Sequence, residues 1–378
     1  MRTDRSACAD QPPRRINVMQ VTDTLDAGGA ERVAVNLANL LPRERFTSGL
    51  CTTRRDGALM SSLSADVQHL SLGRRARFDV AALRRLATFA KAHDVRVLHA
   101  HGTALFVGLV VSMMPPFPAV IWHVHFGGHA EERSPWLYRL AARWTRGIIT
   151  VNEALAEWAR ARLRVRPERV WYIPNFSCLP ISRGSDPKLP GTPGSRIVCV
   201  ANLRPEKDHG TLVRAMAIVA NAVPSAHLSV VGRLPDPGHA DAIRQHVARL
   251  GIERHVSILG ERQDVADILR ESDIGVLSSV AEGFPLALVE YGQAGLVAVA
   301  TRVGQCAEVL DEGRAGVLVE RSNPEALARA LIRLLHAQSE RRRLGDRLRR
   351  RVQEVYGPAP IINRICSVYD TVLGLAQR

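Results

Sequence analysis

Short apolar runs alternate with helix-period stretches along nearly the whole chain. Ile16–Val21, Phe46–Thr52, Val67–Ser71, Val95–Ala100, Ala119–His123, Arg146–Val151 and Val170–Ile173 read as strands. Such unbroken apolar runs suit strands buried on both faces of a parallel sheet. Between them, Ala30–Leu41 and Asp79–His93 repeat apolar residues at helical spacing. The stretch Ile181–Ser195, rich in Pro, Gly and Ser, has little to bury and reads as a linker. A second series follows: strands at Arg196–Leu203, His227–Gly232, Val256–Leu259, Ile274–Ser279, Val297–Thr301 and Val317–Val319, with helices between them. The alternation predicts an α/β protein of two doubly wound domains. Residues 1–15 read as a disordered leader, 16–180 as the first domain, 181–195 as the linker and 196–355 as the second domain. Residues 356–378 read as a terminal helix.

Composition narrows this picture. A length of 378 residues suits two domains, and 46% hydrophobic residues supply their cores. The six cysteines are scattered without Cys-x-x-Cys spacing, which argues against a structural zinc or a disulfide framework and suits a reducing cytoplasm. The polar N-terminus is not a signal peptide. The longest uncharged run, Gly102 to Trp122, is divided by Pro115, Pro116 and Pro118 and is too short to cross a bilayer. A net charge of +14, dominated by arginine, fits nucleic acid, an anionic membrane leaflet or plain compositional bias. No nucleic-acid motif accompanies it, so the expected partner ranks as a membrane surface and not nucleic acid.

The chemistry concentrates between Ser272 and Glu308. There a strand runs into the loop Val280-Ala-Glu-Gly-Phe, then a helix beginning at Pro285, a stop at Gly295 and another strand. The amides of Phe284, Leu286 and Ala287 are expected to stand unpaired at the carboxyl edge of the sheet, where anions bind. Glu282 sits in the loop, and Glu290 lies roughly 7–8 Å along the helix from Pro285. Two hydrogen-bond acceptors flanking an anion site fit a ligand with a phosphate centre and hydroxyl-bearing arms. The first strand leads to Gly28-Gly29 before a helix, without a dinucleotide fingerprint or a phosphate loop.

The run Glu282-Gly-Phe-Pro-Leu-Ala-Leu-Val-Glu290 resembles the signature of glycosyltransferase family 4, whose fold is GT-B: two Rossmann-like domains facing each other across a cleft. Ala27-Gly-Gly-Ala-Glu-Arg32 resembles the glycine turn of the same family, and Gly260-Glu261-Arg262-Gln263-Asp264 the loop that meets the nucleotide base. The resemblance implies a retaining glycosyltransferase that moves a hexose-type sugar from a nucleotide sugar to a glycan or lipid-linked acceptor. It implies no cofactor and no metal, and cell-surface polysaccharide synthesis on the cytoplasmic side. Gly28, Gly29, Gly283, Phe284, Pro285, Leu286 and Arg262 would surround the donor. Lys207 would neutralise the diphosphate, Glu290 would hold the ribose and Glu282 the sugar hydroxyls. The chain departs from the family in three places. Asn202 stands where an arginine is usual, with Arg204 as its substitute; Tyr291 and Gly292 follow Glu290; and Val297 replaces a proline.

Two histidine pairs end neighbouring strands, His99 with His101 and His123 with His125, and alternation puts each pair on one face. The resemblance assigns His125, ahead of Phe126-Gly-Gly, to the face of the donor sugar, with His123 second, and Gly127–Pro135 to a mobile acceptor-side loop. Read as residues alone, the four also suit a metal site, although no carboxylate or cysteine joins them. The remaining readings are a GT-B nucleotide-sugar epimerase, a glycan- or nucleotide-binding pseudoenzyme and a basic nucleic-acid binder. The first needs no acceptor, the second binds donor without turnover, and the third binds duplex in a steeply salt-dependent way.

Overall fold

The computed structural model describes residues 15–26, 28–76, 79–125, 135–179 and 186–375. Most of the leader and the start of the linker, together with most of the Gly127–Pro135 loop, lie outside them. Every predicted strand is present.

The first sheet has seven parallel strands: β1 (Ile16–Thr24), β2 (Phe46–Arg55), β3 (Gln68–Ser71), β4 (Val95–His101), β5 (Ala119–Val124), β6 (Gly147–Thr150) and β7 (Val170–Tyr172). Their order is β3-β2-β1-β4-β5-β6-β7. The second sheet has six, also parallel: β8 (Arg196–Val200), β9 (His227–Val231), β10 (Val256–Gly260), β11 (Ile274–Leu277), β12 (Val297–Thr301) and β13 (Val317–Val319). Their order is β10-β9-β8-β11-β12-β13. Both sheets reverse direction of growth once, between β1 and β4 and between β8 and β11. A parallel sheet opens a crevice at such a point, beyond the carboxyl ends of its strands. The two crevices hold the groups that line the cleft.

Helices cover both faces, so the central strands are buried on both sides: Val18, Met19, Gln20 and Val21 in β1 and all of β11. The last helix, Pro358–Leu373, packs on the first domain: Ile361, Ile365 and Tyr369 share a core cluster with Val18, Leu37 and Phe46. Arg45 closes its end on Asp370 at 2.6 Å. The helix Pro135–Trp144 was not apparent from the sequence. Tyr138, Ala141 and Ala142 bury one of its faces, and Tyr138 stacks on Trp122 with ring centres 5.4 Å apart. Trp136, Leu140 and Trp144, one turn apart, are 67%, 51% and 66% exposed on the other.

The candidate donor site in the interdomain cleft

On the second domain, three local devices fix the cationic corner. Past β8 the chain makes a tight turn over Pro205–Lys207, and Asp208, in the left-handed region (φ 45°), caps the next helix through Thr211 N–H at 3.1 Å. Ser278 Oγ donates to the Lys207 carbonyl at 2.9 Å, and Val280 N–H to the Glu206 carbonyl at 2.9 Å. The loop after β8 is therefore stapled to the loop after β11. The third device is Gly304, with φ 49°; a Cβ there would stand 2.1 Å from the Glu282 carbonyl oxygen, so only glycine lets the loop after β12 lie against the Glu282 loop.

Lys207 Nζ lies 2.6 Å from Glu282 Oε1, which also accepts from Ser279 Oγ at 2.6 Å. The Glu282 side chain is 6% exposed. A carboxylate this buried is held by both a cation and a hydroxyl, the condition under which a buried charge is tolerated. Glu290 is 5% exposed, and its Oε1 accepts from Ser177 Oγ at 2.8 Å, just past the last strand of the first domain. Gln293 ties the same crossing: its Oε1 accepts from Leu179 N–H at 3.2 Å.

Two expectations about the helix end are corrected. Pro285 is not the first helical residue; it stands one place ahead of the helix Leu286–Ala294, with ψ 84°. The Leu286 amide is not free either, because the tight turn through Pro285 brings it 3.1 Å from the Phe284 carbonyl. Gly295 ends the helix in the left-handed region, φ 76°. The unusual Tyr291 is accommodated by Gly275 in β11, where a Cβ would meet the tyrosine ring at 2.4 Å. The Tyr291 hydroxyl accepts from Val200 N–H at 2.8 Å and donates to the Val276 carbonyl at 3.1 Å, joining β8 to β11 behind the site.

Asn202, which stands in place of the family's arginine, lines the cleft and braces the neighbouring loop. Its Oδ1 accepts from the Arg233 backbone N–H at 2.9 Å, just past β9. Arg233 lines the cleft, and its buried Nε has no hydrogen-bond partner. Arg204 also lines the cleft but is about half exposed, 3.8 Å from Glu206. Sequence reasoning passed over Arg233; the signal was a basic residue just beyond the carboxyl end of the strand beside β8. It also passed over Glu31, another lining residue, whose carboxyl is pushed above the usual range by burial, against the pull of its own backbone hydrogen bond and of Arg233. Arg262 is held by Asp264 through two contacts, at 2.7 and 2.5 Å.

On the first domain, Gly28 and Gly29 open the helix Gly29–Leu40, and Gly29 faces Leu286 across the cleft with room for only 3.5 Å from a Cβ. The four histidines cluster at the ends of β4 and β5. His99 Nδ1 lies 2.7 Å from Tyr369 Oη and its Nε2 lies 3.1 Å from His123 Nδ1. His101 Nδ1 lies 2.9 Å from His125 Nε2, and its Nε2 lies 3.0 Å from Gln20 Oε1. Burial pushes His99 and His125 down to about 3 and His101 and His123 well below the usual histidine range. All four are neutral at physiological pH. Nitrogens of His99, His101 and His123 fall within 4.8 Å of one another, yet both nitrogens of His99 and of His101 are engaged in hydrogen bonds. A metal would have to break them, so the arrangement fits a hydrogen-bond network better than a metal centre.

Gly28, Gly29, His125, Asn202, Arg204, Lys207, Arg262, Glu282, Gly283, Phe284, Pro285, Leu286 and Glu290 all line one cavity of about 570 Å³ between the domains. The sequence-derived residues thus come from both sheets to a single place. A family model described as Glycosyltransferase Family 4 matches residues 27–176, and one described as Glycosyl transferases group 1 matches residues 194–337. Between them they cover most of both domains. The chain belongs to glycosyltransferase family 4.

Among its relatives is the N-acetyl-alpha-D-glucosaminyl L-malate synthase of Bacillus anthracis, 33% identical over 47% of this chain and 45% of the relative. Another is the UDP-Gal:alpha-D-GlcNAc-diphosphoundecaprenol alpha-1,3-galactosyltransferase of Escherichia coli, 25% identical over 81% of this chain and 84% of the relative. The chain thus spans under half of the first and most of the second. The crystal structure of Anabaena HepE in complex with UDP and glucose superposes with a TM-score of 0.79 at 19% identity, covering 94% of this chain and all of the other. That likeness shows the fold, GT-B, with two open parallel sheets. No helix among the described residues is long and apolar enough to cross a membrane.

Proposed function

We propose that the chain transfers a hexose-type sugar from a nucleotide sugar to a glycan or lipid-linked acceptor, with retention of configuration, in the synthesis of a bacterial cell-surface polysaccharide. The observation that carries this is the half-buried Lys207–Glu282 pair at the mouth of the Leu286–Ala294 helix, with Glu290 one turn further in. A dinucleotide-free diphosphate needs a cation and amide donors; a sugar and a ribose need acceptors. Here both kinds of group lie side by side. On donor binding, the diphosphate would draw Lys207 away from Glu282 and free that carboxylate for sugar hydroxyls. Phe284 and Ala287 amides would meet the phosphate at the helix end, and Arg233, held by Asn202, would supply the second cation in preference to Arg204. Departure of the diphosphate builds negative charge, and preorganised cations lower that barrier.

The chemistry proposed needs no resident metal or cofactor, since the lysine and arginine carry the charge compensation. Glu282 and Glu290 are binding groups and not an acid–base pair of the glycosidase kind. His125, neutral and at the cleft, would hydrogen-bond the donor sugar. The E. coli protein is named for UDP-Gal and the Anabaena protein is in complex with UDP and glucose, which favours testing UDP-sugars first.

An anionic membrane surface is proposed as the place of action. Trp136, Leu140 and Trp144 form an exposed stripe on a helix that also carries Arg139 and Arg143 and no acidic residue. Indole rings beside cations suit the boundary between headgroups and acyl chains. Flotation with phosphatidylglycerol vesicles should carry the protein upward and lose it in Trp136→Ser/Trp144→Ser; equal flotation of both, or none with wild type, rejects this surface. For the transfer itself, UDP-, GDP- and ADP-sugars are incubated with a lipid-linked glycan extract, and the product's anomeric coupling is read by NMR. Nucleotide release tied to a new glycosidic bond of the donor's own configuration is expected. Isomerised nucleotide sugar without acceptor would point to the epimerase, and inverted product would refute retention.

A further inference from the structure

A second hollow, of about 320 Å³, shares no lining residue with the donor cavity. It lies beside β13, the strand at one edge of the second sheet. Five arginines from separate parts of the domain line it. Arg302 follows β12, Arg314 precedes β13, and Arg333 comes from the helix Pro324–His336. Arg343 and Arg347 come from the arginine-rich helix Gln338–Arg351. Their spacing, shared with Glu340 and Leu344, puts them on one face of that helix. Buried Leu344 and half-buried Val317 and Leu318 supply the apolar part of the lining. Only two carboxylates join the arginines there, those of Glu312 and Glu340.

The arginines of this helix divide by what they bond. Arg341 donates to the Leu334 and Leu335 carbonyls, and Arg351 to those of Glu308 and Val309, so both close the ends of neighbouring helices. Arg343 and Arg347 close nothing. Among the described residues Arg343 has neither an ion pair nor a hydrogen bond, and Arg347 donates to the Arg314 carbonyl at 3.3 Å without an ion pair. Both lining carboxylates are already taken, Glu312 by Arg302 at 3.0 Å and Glu340 by Arg333 at 3.7 Å. Arg314 leans on Asp311 at 2.6 Å. Two guanidiniums are therefore left uncompensated in one concavity. The backbone beside them is unusual too: Asp311, Glu312 and Gly313 follow one another with φ of 53°, 52° and 92°. Residues with side chains seldom adopt that region, and those that do gather at ligand clamps.

We propose that this hollow binds an anion bearing a diphosphate group, at a site separate from the cleft. A guanidinium presents a planar fork that matches phosphate oxygens two at a time. Walls that combine one sign of charge with apolar surface focus the field on an entering anion. A single carboxylate would leave one of the two spare cations uncompensated. A diphosphate matches both, and its second phosphate reaches arginines from another side of the hollow. Arg302 and Arg333 are half exposed, so their glutamate pairs are weak enough to exchange for it. Soluble nucleoside diphosphates and lipid diphosphates carry the same group. The proposal does not rest on the reading of the donor site.

The test is calorimetric titration with inorganic diphosphate, run beside flotation with phosphatidylcholine vesicles containing geranylgeranyl diphosphate. The full chain carries Lys207→Ala throughout, which removes the cleft's own cation for a diphosphate. Two double variants are compared on this background. Arg343→Gln/Arg347→Gln strips the hollow. Arg342→Gln/Arg350→Gln removes as much charge from exposed positions of the same helix outside the hollow. The background protein should take up the diphosphate group. The first pair should weaken that at least about tenfold, as for lost hydrogen bonds to a charged group, and the second under about threefold. Uptake of free diphosphate identifies a soluble ligand; uptake from vesicles alone identifies a lipid headgroup, and either supports the site. No uptake in either arm, or equal weakening by both pairs, overturns it. Circular dichroism identifies a pair that has not folded, in which case Arg302→Gln takes its place against the same control. Because Lys207 is absent throughout, failure of the donor-site reading does not alter this result.

Discussion

The two walls of the cleft solve different problems. The wall from the second domain is charged: Lys207, Glu282, Arg204 and Arg233 sit at strand and helix ends, with Lys207 paired to Glu282, Arg204 near Glu206, and the buried Arg233 Nε without a partner. Beyond Glu31 and Arg32 of its first helix, the wall from the first domain is neutral where β4 and β5 end. Its four histidines are stripped of charge by burial and joined to each other, to Gln20 and to Tyr369. A diphosphate needs compensating charge, whereas a sugar's hydroxyls need directed acceptors and donors, and a stray cation there would only add a desolvation cost. The difference between the walls therefore matches the two halves of a nucleotide sugar.

Acidification should break this comparison most strongly, on the neutral wall. The folded-state values of His99 and His125 are about 3, against an ordinary value of 6.5. Between those limits the unfolded chain binds more protons than the native one, so stability rises with pH there and is lost as pH falls below 6.5. At pH 5 each of these histidines should have removed roughly 2 kcal/mol relative to neutral pH. Urea midpoints at pH 7.5 and pH 5 check this, and His125→Gln should shallow the slope. A midpoint independent of pH would mean that the cluster is already protonated or hydrated.

On the charged wall, Lys207→Ala should lower kcat/KM on the order of 10²–10³-fold, as for loss of one preorganised charge donor. Steady-state kinetics at saturating acceptor measure it, and a loss under about tenfold would show that another cation carries the diphosphate. The smaller effect separates two arginines. Arg233→Gln should raise donor KM by at least about tenfold, in line with the 1.5–3 kcal/mol of a hydrogen bond to a charged group. Arg204→Gln, half exposed and screened, should change it under about threefold. The reverse order would return the family arginine's task to Arg204.

The two walls were also unequally legible in the sequence. The strand pattern located both sheets, because parallel strands buried on both faces carry continuous apolar runs that loops do not. The Glu282–Glu290 stretch was legible because its donors, acceptors and helix end are contiguous, so spacing alone brings them together. Its fine geometry was not: the tight turn that engages the Leu286 amide depends on backbone angles at Pro285. Arg233 was hidden because its place is set by Asn202, 31 positions earlier, through a backbone hydrogen bond. Gln20 and Tyr369 are 349 positions apart, and each looks in sequence like a polar interruption in an apolar run. Residues of that kind become visible only when the terminal helix is seen lying across β1 and β4. The Trp136–Trp144 stripe is hidden for a different reason: the polar, glycine-rich segment ahead of it in sequence carries no apolar period to announce a helix.

The central claim is that this cleft holds a nucleotide sugar by its diphosphate on one wall and its sugar on the other. Calorimetric titration of wild type, Lys207→Ala and Glu290→Ala with UDP-, GDP- and ADP-sugars tests it most directly. The account predicts that one nucleotide class binds wild type and that both substitutions weaken it at least about tenfold, each removing a charged hydrogen-bond partner of the ligand. Absence of binding by every nucleotide sugar, or binding that survives both substitutions unchanged, would contradict it.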